Sequence, residues 1–262
     1  MADPAPHAGP LIIIPARMAA SRLPGKPLAD IGGRPMIVRV WEIAARWAAE
    51  GAGARVIVAA GEREIVRAVE AAGGEAILTD PDLPSGSDRV NAAVSAADPA
   101  GRHDVVVNLQ GDQPVFDADI LTAVTAPMAD PSVDIATLAS VISDASERAN
   151  PNVVKAVVSF PQPAATVGRA LYFTRATAPS GDGPLYHHIG IYAFRREALA
   201  RFMALPPSPL EIREKLEQLR ALEAGMHLVV AVVPEGIRIG VDAPEDLARA
   251  RAWFAEHEGR TR

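Results

Sequence analysis

The chain has 262 residues, which is enough for one large α/β domain or for one domain that carries an inserted lobe. Its formal net charge of -6 argues against general nucleic-acid binding, because such binding depends on a basic surface. The sequence contains no cysteine, which excludes structural disulfides, thiolate zinc sites and a cysteine nucleophile.

The N-terminal residues and the apolar runs favour a cytoplasmic protein that does not insert into a membrane. The longest apolar runs, Leu11–Ile14 and Leu228–Val233, are too short to span a bilayer. Residues 1–10 lack the basic and apolar regions of a signal peptide, so we expect a disordered tail there.

Strand-like apolar runs alternate with segments of helical period in the first half of the chain. Strands are predicted at Leu11–Ile14, Arg55–Ala59, Ala76–Leu78, Asp104–Leu109 and Ile135–Val141. Helices are predicted between them at Met36–Glu50, Glu62–Ala72, Asp88–Ala97 and Asp119–Ala126. This βαβαβ order predicts an α/β fold with a mostly parallel, twisted sheet and helices on both faces.

The pattern changes after Asn150. A stretch rich in proline and glycine, 161–184, separates two predicted strands, and helices with one more strand complete the chain. The predicted strands are Val153–Ser159, Gly190–Phe194 and Leu228–Val233, and the predicted helices are Arg195–Ala204, Pro209–Ala224 and Pro244–Glu258. We expect residues 150–190 to form a small inserted lobe or dimerisation arm within a single domain that spans 11–262.

The loop after the first strand combines small residues with the basic side chains Arg17, Arg22 and Lys26. Such a backbone can surround a polyphosphate, and the cations would neutralise its charge. The alternative is a surface turn with solvated basic residues. Asp112 follows the fourth predicted strand, and ligands of open parallel sheets bind beside the carboxyl ends of the strands. This common position favours a phosphate site.

Two aspartates are candidate magnesium ligands, because Mg²⁺ takes few protein oxygens and completes its shell with phosphate and water. For Asp112 the alternative is a simple turn. For Asp242 the alternative is a helix cap, since Glu245 follows three residues later and Pro244 suits a first turn.

Other polar residues have ordinary structural explanations. Ser87 and Arg89 open a helix and would either belong to its capped start or contact a base or ribose. His188 would be a satisfied core or surface residue. In the helix Pro209–Ala224, an apolar stripe is predicted to face the core at Ile212, Leu216, Leu219 and Leu222. The polar residues beside it are predicted to be solvated, namely Glu214, Glu217, Gln218 and Arg220.

Several segments between Leu11 and the final helix carry a family resemblance. They are Ile14-Pro15-Ala16-Arg17, Ser21-Arg22-Leu23-Pro24-Gly25-Lys26-Pro27-Leu28, Val107-Asn108-Leu109-Gln110-Gly111-Asp112, Asn150-Pro151-Asn152-Val153-Val154-Lys155, His188-Ile189-Gly190-Ile191-Tyr192, Ser208-Pro209-Leu210-Glu211, Leu216-Glu217-Gln218-Leu219-Arg220 and Gly240-Val241-Asp242. Together they resemble the 3-deoxy-manno-octulosonate (Kdo) cytidylyltransferases, or CMP-Kdo synthetases.

The resemblance implies a nucleotidyltransferase of Rossmann-like fold. Such an enzyme would transfer CMP from CTP to the anomeric hydroxyl of Kdo, giving CMP-Kdo and pyrophosphate for lipopolysaccharide synthesis. It would be a homodimer formed through the middle section.

The resemblance also implies roles for individual residues. CTP would contact Pro15, Ala16, Arg17, Arg22, Lys26, Ser87, Arg89 and Gln110. Mg²⁺ would bind Asp112 and Asp242, which with Arg17 and Lys26 would be catalytic. The acidic sugar would contact Arg175, His188, Glu217 and Gln218.

The chain departs from the family pattern at Gly61 and Gln113, where aspartate and glutamate are usual, and at His187, where arginine is common. The stretch Thr177–Tyr186 is also short. Three alternatives therefore remain open. They are a cytidylyltransferase for another acidic sugar (an amino derivative of Kdo or a sialic acid), a nucleotide-binding protein without catalysis, and a glycosyltransferase that uses Asp80-Pro81-Asp82, a stretch that fits a loop better.

Overall fold

A computed structural model describes residues 9–19, 22–234 and 239–257, without the side chain of Ala52. The predicted tail, 1–10, lies outside these residues except for its last two. The chain divides into two compact units. The first contains the described part of 1–118 and 237–262, and the second contains the described part of 119–236. The proposed lobe, 150–190, lies within the second unit, and its existence as a separate arm stays a prediction.

Eleven strands and nine helices are found in the described residues. The strands are β1 (Leu11–Ala16), β2 (Asp30–Ile31), β3 (Arg34–Pro35), β4 (Arg55–Ala60), β5 (Glu75–Leu78), β6 (Val105–Asn108), β7 (Ile135–Val141), β8 (Lys155–Ser159), β9 (Val167–Thr174), β10 (Tyr186–Arg195) and β11 (Leu228–Val233). The helices are α1 (Met36–Trp47), α2 (Arg63–Ala71), α3 (Gly86–Ala97), α4 (Asp119–Thr125), α5 (Ala145–Arg148), α6 (Arg196–Ala204), α7 (Pro209–Glu214), α8 (Leu219–Glu223) and α9 (Pro244–His257). Short 3-10 helices occupy Lys26–Leu28 and Ala126–Ala129, and a π-helical turn, Ala48–Ala52, follows α1.

In the first unit, four parallel strands lie in the order β5-β4-β1-β6. The central strand β1 is fully buried from Leu11 to Ile14, as its β-branched run predicts. In the register, Ile13 lies between Ile57 of β4 and Asn108 of β6. The α/β class and the parallel arrangement are confirmed here, and the loops after β1 and β6 lie at the same edge of the sheet.

The second unit has a mixed arrangement, in the order β10-β7-β11-β9-β8 with a further pairing of β10 and β8. Of the described pairings only β7 with β11 is parallel. The prediction of a mostly parallel sheet is therefore wrong for this unit. The physical reason is that the short connection between β8 and β9 permits only an antiparallel pair.

Strand β9 lies within the stretch that was predicted to separate two strands. The prolines and glycines of that stretch flank β9, and only Gly168 lies within it. Exposed and buried residues alternate from Val167 to Ala170, which is the pattern of a half-buried strand. The composition of the whole stretch concealed this short alternation.

The single helix predicted at Pro209–Ala224 is wrong, because α7 ends at Glu214 and α8 begins at Leu219. Lys215 between them adopts a left-handed conformation with φ of 57°. The predicted core stripe is interrupted accordingly, since Leu216 and Leu219 are buried but Ile212 is 64% exposed. The stripe assumed a continuous helical period, which the turn at Lys215 shifts.

Candidate active site

A cleft of about 450 Å³ opens beside the carboxyl ends of β1 and β6 in the first unit. It brings together most of the residues for which the sequence analysis implied a nucleotide or metal role. Those that line it are Pro15, Ala16, Arg17, Arg22, Lys26, Arg89, Gln110, Asp112 and Asp242. Met36 also lines the cleft, as does Ser85, which precedes Ser87 and Arg89 at the helix start.

Close backbone approaches bring the loops of the cleft together. A Cβ atom on Gly111 would lie 2.7 Å from the carbonyl oxygen of Pro15, so only glycine fits there without a shift of the backbone. The loop after β1 is anchored at Met18, whose amide donates to the Glu62 carboxylate at 2.9 Å. Gly25, with φ of 73°, returns the chain to Met18 through a backbone hydrogen bond. These contacts set the starting position of Lys26.

Lys26 connects the two candidate metal ligands. Its Nζ donates to Asp112 Oδ2 at 2.8 Å, to the carbonyl of Val241 at 3.1 Å and to Asp242 Oδ1 at 3.2 Å. Arg22 pairs with the other oxygen of Asp242 at 3.2 Å. Two carboxylates that are distant in the sequence therefore converge on one ammonium group.

The environment of Lys26 favours its charged form. Burial by itself lowers the pKa of this ammonium, because a charge is costly away from water. Attraction to Asp112 and Asp242, with the hydrogen bonds they accept, outweighs burial, so the pKa of Lys26 is raised. Lys26 thus remains a cation while the cleft holds two negative charges.

The helix-cap interpretation of Asp242 is wrong. Helix α9 begins at Pro244, and the carboxylate that accepts from the amides of Asp242 and Ala243 belongs to Asp246, at 3.0 Å in each case. Capping therefore uses a carboxylate one residue beyond the predicted Glu245. The carboxylate of Asp242 is left to contact Lys26 and Arg22.

The start of α3 contributes a cap and a cationic wall to the cleft. Ser85 and Asp88 form a reciprocal capping box, which confirms a capped helix start. Arg89 is 2% exposed and donates to the carbonyls of Asp80 at 3.0 Å and Pro81 at 3.2 Å. Ser87 is buried on α3, whose contributions to the cleft lining are Gly86 and Arg89.

The cleft is positively charged although the whole chain is acidic. Four basic and two acidic side chains line it, which gives a local charge of +2 against -6 for the chain. The basic residues are Arg17, Arg22, Lys26 and Arg89, and the acidic residues are Asp112 and Asp242. Such a concave basic surface attracts a polyanion.

The candidate sugar residues lie in the second unit. Arg175 donates to three backbone carbonyls: from Nε to Glu214 at 2.9 Å, from one terminal nitrogen to Pro151 at 3.0 Å, and from the other to Lys215 at 3.5 Å. A guanidinium has five N–H groups, so two more can donate to a ligand. No sequence pattern indicates this hydrogen bonding of Arg175 to backbone carbonyls.

His188 is buried between Phe173 and Tyr192. Burial, with the charge of the adjacent His187, lowers the pKa of His188 to about 3, so the ring is neutral near pH 7. Its Nε2 lies 3.0 Å from Thr137 Oγ1. The single proton of that hydroxyl is directed to the carbonyl of Ile191 at 2.8 Å, so we assign the proton of His188 to Nε2 as the donor to Thr137.

Glu217 and Gln218 occupy the turn between α7 and α8. Gln218 is 6% exposed, and its Nε2 has no hydrogen-bond partner among the described residues. The Oε1 atom of Glu217 lies 3.9 Å from Nη2 of Arg220. Burial, with the negative charge of Glu217, raises the pKa of Tyr192. The prediction of a solvated face is wrong for Gln218 and for Arg220, which is largely buried against Glu211. It is also wrong for Glu214, whose carboxylate accepts hydrogen bonds from Thr174 and Arg175.

Two further kinds of feature, a membrane-spanning helix and a larger metal-binding cluster, are absent from the described ranges. No helix there combines the length and apolarity that crossing a bilayer requires. No group of three or more histidine, aspartate or glutamate side chains in those ranges is arranged to hold a metal ion. The two carboxylates at Lys26 therefore form a pair and not a complete protein cage.

Comparison with known proteins identifies relatives over nearly the whole chain. The profile of the cytidylyltransferase family matches residues 11–228. The chain is 62% identical over 246 residues to the 3-deoxy-manno-octulosonate cytidylyltransferase of Parvibaculum lavamentivorans, covering 94% of this chain and 93% of that protein. It is 63% identical over 250 residues to the protein of the same name from Rhodospirillum centenum, with 95% of each chain covered. A solved structure of CMP:2-keto-3-deoxy-manno-octonic acid synthetase complexed with CTP matches with a TM-score of 0.86 at 38% identity, covering 95% of this chain and 100% of that one.

Proposed function

The chain belongs to the 3-deoxy-manno-octulosonate cytidylyltransferase family, and we propose that it transfers CMP from CTP to the anomeric hydroxyl of Kdo. The products would be CMP-Kdo, for lipopolysaccharide synthesis, and pyrophosphate. The observation that carries the proposal is the basic cleft beside β1 and β6, where two aspartates converge on Lys26. A polyanion and a divalent cation are the ligands that such a mixed set of charges suits.

The basic residues of the cleft are proposed to bind the triphosphate of CTP. Arg17 and Arg22 are exposed and long, and Lys26 remains charged. In the reaction, the anomeric hydroxyl loses its proton to water as its oxygen attacks the α-phosphorus, and the bond to the bridging oxygen breaks, so that pyrophosphate leaves with the electron pair. Lys26 and Arg17 stabilise the charge that develops on the leaving group. Catalysis then depends on positioning and charge, and no covalent enzyme intermediate is needed.

The cytidine and ribose of CTP are proposed to contact other residues of the same cleft. Gln110 and Arg89 line the cleft, and Pro15 and Ala16 supply its backbone at the end of β1. Ser87 supports this wall from within α3. The amide of Gln110 suits a pyrimidine edge, because it can both donate and accept hydrogen bonds.

Asp112 and Asp242 are proposed to hold Mg²⁺. The supporting observation is that both carboxylates bind one ammonium group, Lys26, so their oxygens converge on a shared positive charge. Two protein oxygens suit Mg²⁺, which completes its shell with phosphate and water. When bound, the ion would lower the pKa of the attacking hydroxyl and neutralise phosphate charge.

The second unit is proposed to bind the acidic sugar. The two remaining donors of Arg175 suit a carboxylate, for which a guanidinium is a matched partner. The Nε2 of Gln218, which has no partner within the described part of the chain, and the carboxylate of Glu217 suit sugar hydroxyls. His188 is neutral near pH 7, so its role toward a sugar is a hydrogen bond and not charge pairing.

We further propose a cytoplasmic homodimer. CTP is a cytoplasmic metabolite, which favours that location. The second unit exposes apolar side chains at Val167, Leu171 and Ile212, by 37%, 54% and 64%. Exposed large apolar groups favour association, and a second copy of the chain is the partner that the family resemblance implies.

Phosphorus NMR tests the proposed reaction directly. A mixture of the protein, CTP, Mg²⁺ and Kdo should lose the three CTP signals and gain one phosphodiester signal and one pyrophosphate signal. CDP with inorganic phosphate, or an unchanged spectrum, would contradict the proposal. Omission of Mg²⁺ in a matched sample should leave CTP intact.

A further inference from the structure

The backbone amide, the backbone carbonyl and the guanidinium of Arg175 all form hydrogen bonds. Its amide donates to Glu214 Oε2 at 3.0 Å, and its carbonyl accepts from the buried ammonium of Lys155 at 3.3 Å. Its guanidinium donates to the carbonyls of Glu214 and Lys215, at the end of α7, and of Pro151. Arg175 therefore connects the end of β9 to the end of α7.

Glu214 forms the other half of this connection. Its carboxylate also accepts from Thr174 Oγ1 at 2.8 Å and from the hydroxyl of Tyr172 at 3.5 Å. Burial raises the pKa of Glu214, but the hydrogen bonds from Arg175, Thr174 and Tyr172 outweigh burial and lower it. Glu214 is thus a charged acceptor for three groups of β9 and its following residue.

The contacts between Arg175 and Glu214 lie at the break between α7 and α8. A continuing helix would satisfy the carbonyls of Glu214 and Lys215 with amides four residues on, and the guanidinium of Arg175 takes their place. Lys215 then turns into a left-handed conformation, and the chain enters the segment that carries Glu217 and Gln218. The direction of that segment depends on the position of the last turn of α7.

We propose that Glu214 is a positioning residue for the sugar site. It holds Arg175 at the end of β9 and holds the turn 215–218 against it, so that Arg175, Glu217 and Gln218 share one fixed arrangement. This inference rests on the proposed function in naming the ligand as an acidic sugar. Glu214 itself touches no reacting atom in this proposal.

The test compares the Glu214→Gln variant with the matched control Glu223→Gln. The first change keeps the shape of the side chain but can place an NH₂ group opposite the amide of Arg175. The control makes the same change on α8, at a carboxylate that accepts from the amide of Leu210 at 3.1 Å. We expect Glu214→Gln to raise the KM for Kdo about tenfold and the KM for CTP less than about twofold. The control should change neither.

Hydrogen exchange of the protein without substrates provides an independent measurement. In Glu214→Gln, the amides of Leu216 and Leu219 should exchange about tenfold faster than in the control. Should Glu214→Gln not fold, Thr174→Val removes one donor to Glu214, together with the acceptor of the Ala176 amide, and a smaller shift in the same direction is expected.

Different results separate this inference from the proposed function. A wild-type protein inactive with Kdo would contradict the proposed function, and hydrogen exchange would still decide the role of Glu214. Unchanged exchange at 216–219 would overturn the positioning role whatever the sugar is. Equal increases in both KM values would also overturn it, because they would indicate a general loss of structure.

Discussion

Lys26 links Asp112 and Asp242, and Arg22 adds the second positive charge that balances the two carboxylates. The pair of aspartates would repel each other if they faced only water and a neutral wall. With Lys26 and Arg22 as counterions, the cleft can hold them near each other before any ligand binds. Removal of one carboxylate should therefore affect function much more than folding.

We predict that Asp112→Asn lowers the rate of pyrophosphate release by at least about 100-fold, the size expected for loss of one group that stabilises transition-state charge. Its melting temperature should stay close to that of the wild type, since the amide keeps the size of the carboxylate. The assay is made at saturating Mg²⁺, so that weaker metal binding alone does not explain the loss.

The control for this experiment is Asp82→Asn. Asp82 is exposed in the loop after β5, and its amide donates to Asp80. The same substitution there should leave the rate unchanged. A large loss in Asp82→Asn with a normal rate in Asp112→Asn would contradict the proposed metal role of Asp112 and would point instead to the loop that carries Asp80 and Asp82.

His188 makes stability depend on pH. Its pKa is about 3 in the folded protein and near 6.5 when unfolded, so the unfolded chain binds the proton first as pH falls. The contribution of His188 to the free energy of unfolding is therefore complete above about pH 7 and decreases as the pH falls from about 7 toward 3. Between pH 7 and pH 5 the loss should be about 2 kcal/mol of unfolding free energy.

Urea unfolding of the wild type and of His188→Gln at pH 7 and pH 5 measures this loss. The wild type should lose about 2 kcal/mol more than the variant over that range, and the two should respond alike between pH 7 and pH 8. Equal losses from pH 7 to pH 5 would show that His188 is protonated in the folded protein.

Helices α7 and α8 illustrate what local patterns miss. The spacing of Leu216 and Leu219 correctly marks buried positions, but the helix that was expected to carry them is broken at Lys215. The carbonyl of Lys215 at the break accepts from Arg175, which is 40 residues away in the sequence, and no local signal reveals that contact. The helical period alone therefore does not predict where α7 ends.

Strand β1 and its loop illustrate the opposite case. The buried run from Leu11 to Ile14 indicates a central strand, and the order of elements places its loop beside the one that carries Asp112. The position of Asp242 could be inferred only from the family resemblance, because spacing favoured a cap. The structure shows that Asp246 makes that cap instead.

Substitution of Lys215 tests how much its left-handed conformation, at the break between α7 and α8, costs in stability. A non-glycine residue in the left-handed region costs about 1 kcal/mol, and glycine avoids that cost at the price of a more flexible unfolded chain. We predict that Lys215→Gly raises the free energy of unfolding by about 0.5 kcal/mol, while Lys215→Ala changes it little. A loss of stability in Lys215→Gly would mean that the side chain of Lys215 stabilises the turn.

At the scale of the whole molecule, the proposed homodimer would bury the exposed apolar residues of the second unit in its interface. We predict that the wild type sediments as a dimer and that Leu171→Asp shifts it toward a monomer, because a buried charge opposes association. Leu78→Asp is the matched control, since Leu78 of β5 is 46% exposed in the first unit. A monomeric wild type, or equal dissociation by both variants, would contradict the proposed surface.

The two units differ in how far the sequence predicts them. The parallel strands and the nucleotide cleft of the first unit follow from buried runs, element order and the positions of charged loops. The second unit depends on antiparallel pairings and on contacts such as Arg175 with Glu214, which join distant segments. The nucleotide chemistry is consequently easier to infer than the identity of the sugar.

Initial rates of pyrophosphate release with CTP and Mg²⁺, measured in parallel with Kdo, with a sialic acid and without sugar, test the proposed activity most directly. We predict release with Kdo, and at most background release with the sialic acid or without sugar. Release with the sialic acid alone would keep the chemistry but contradict the substrate. No release with any sugar, in a protein shown to bind CTP, would contradict catalysis.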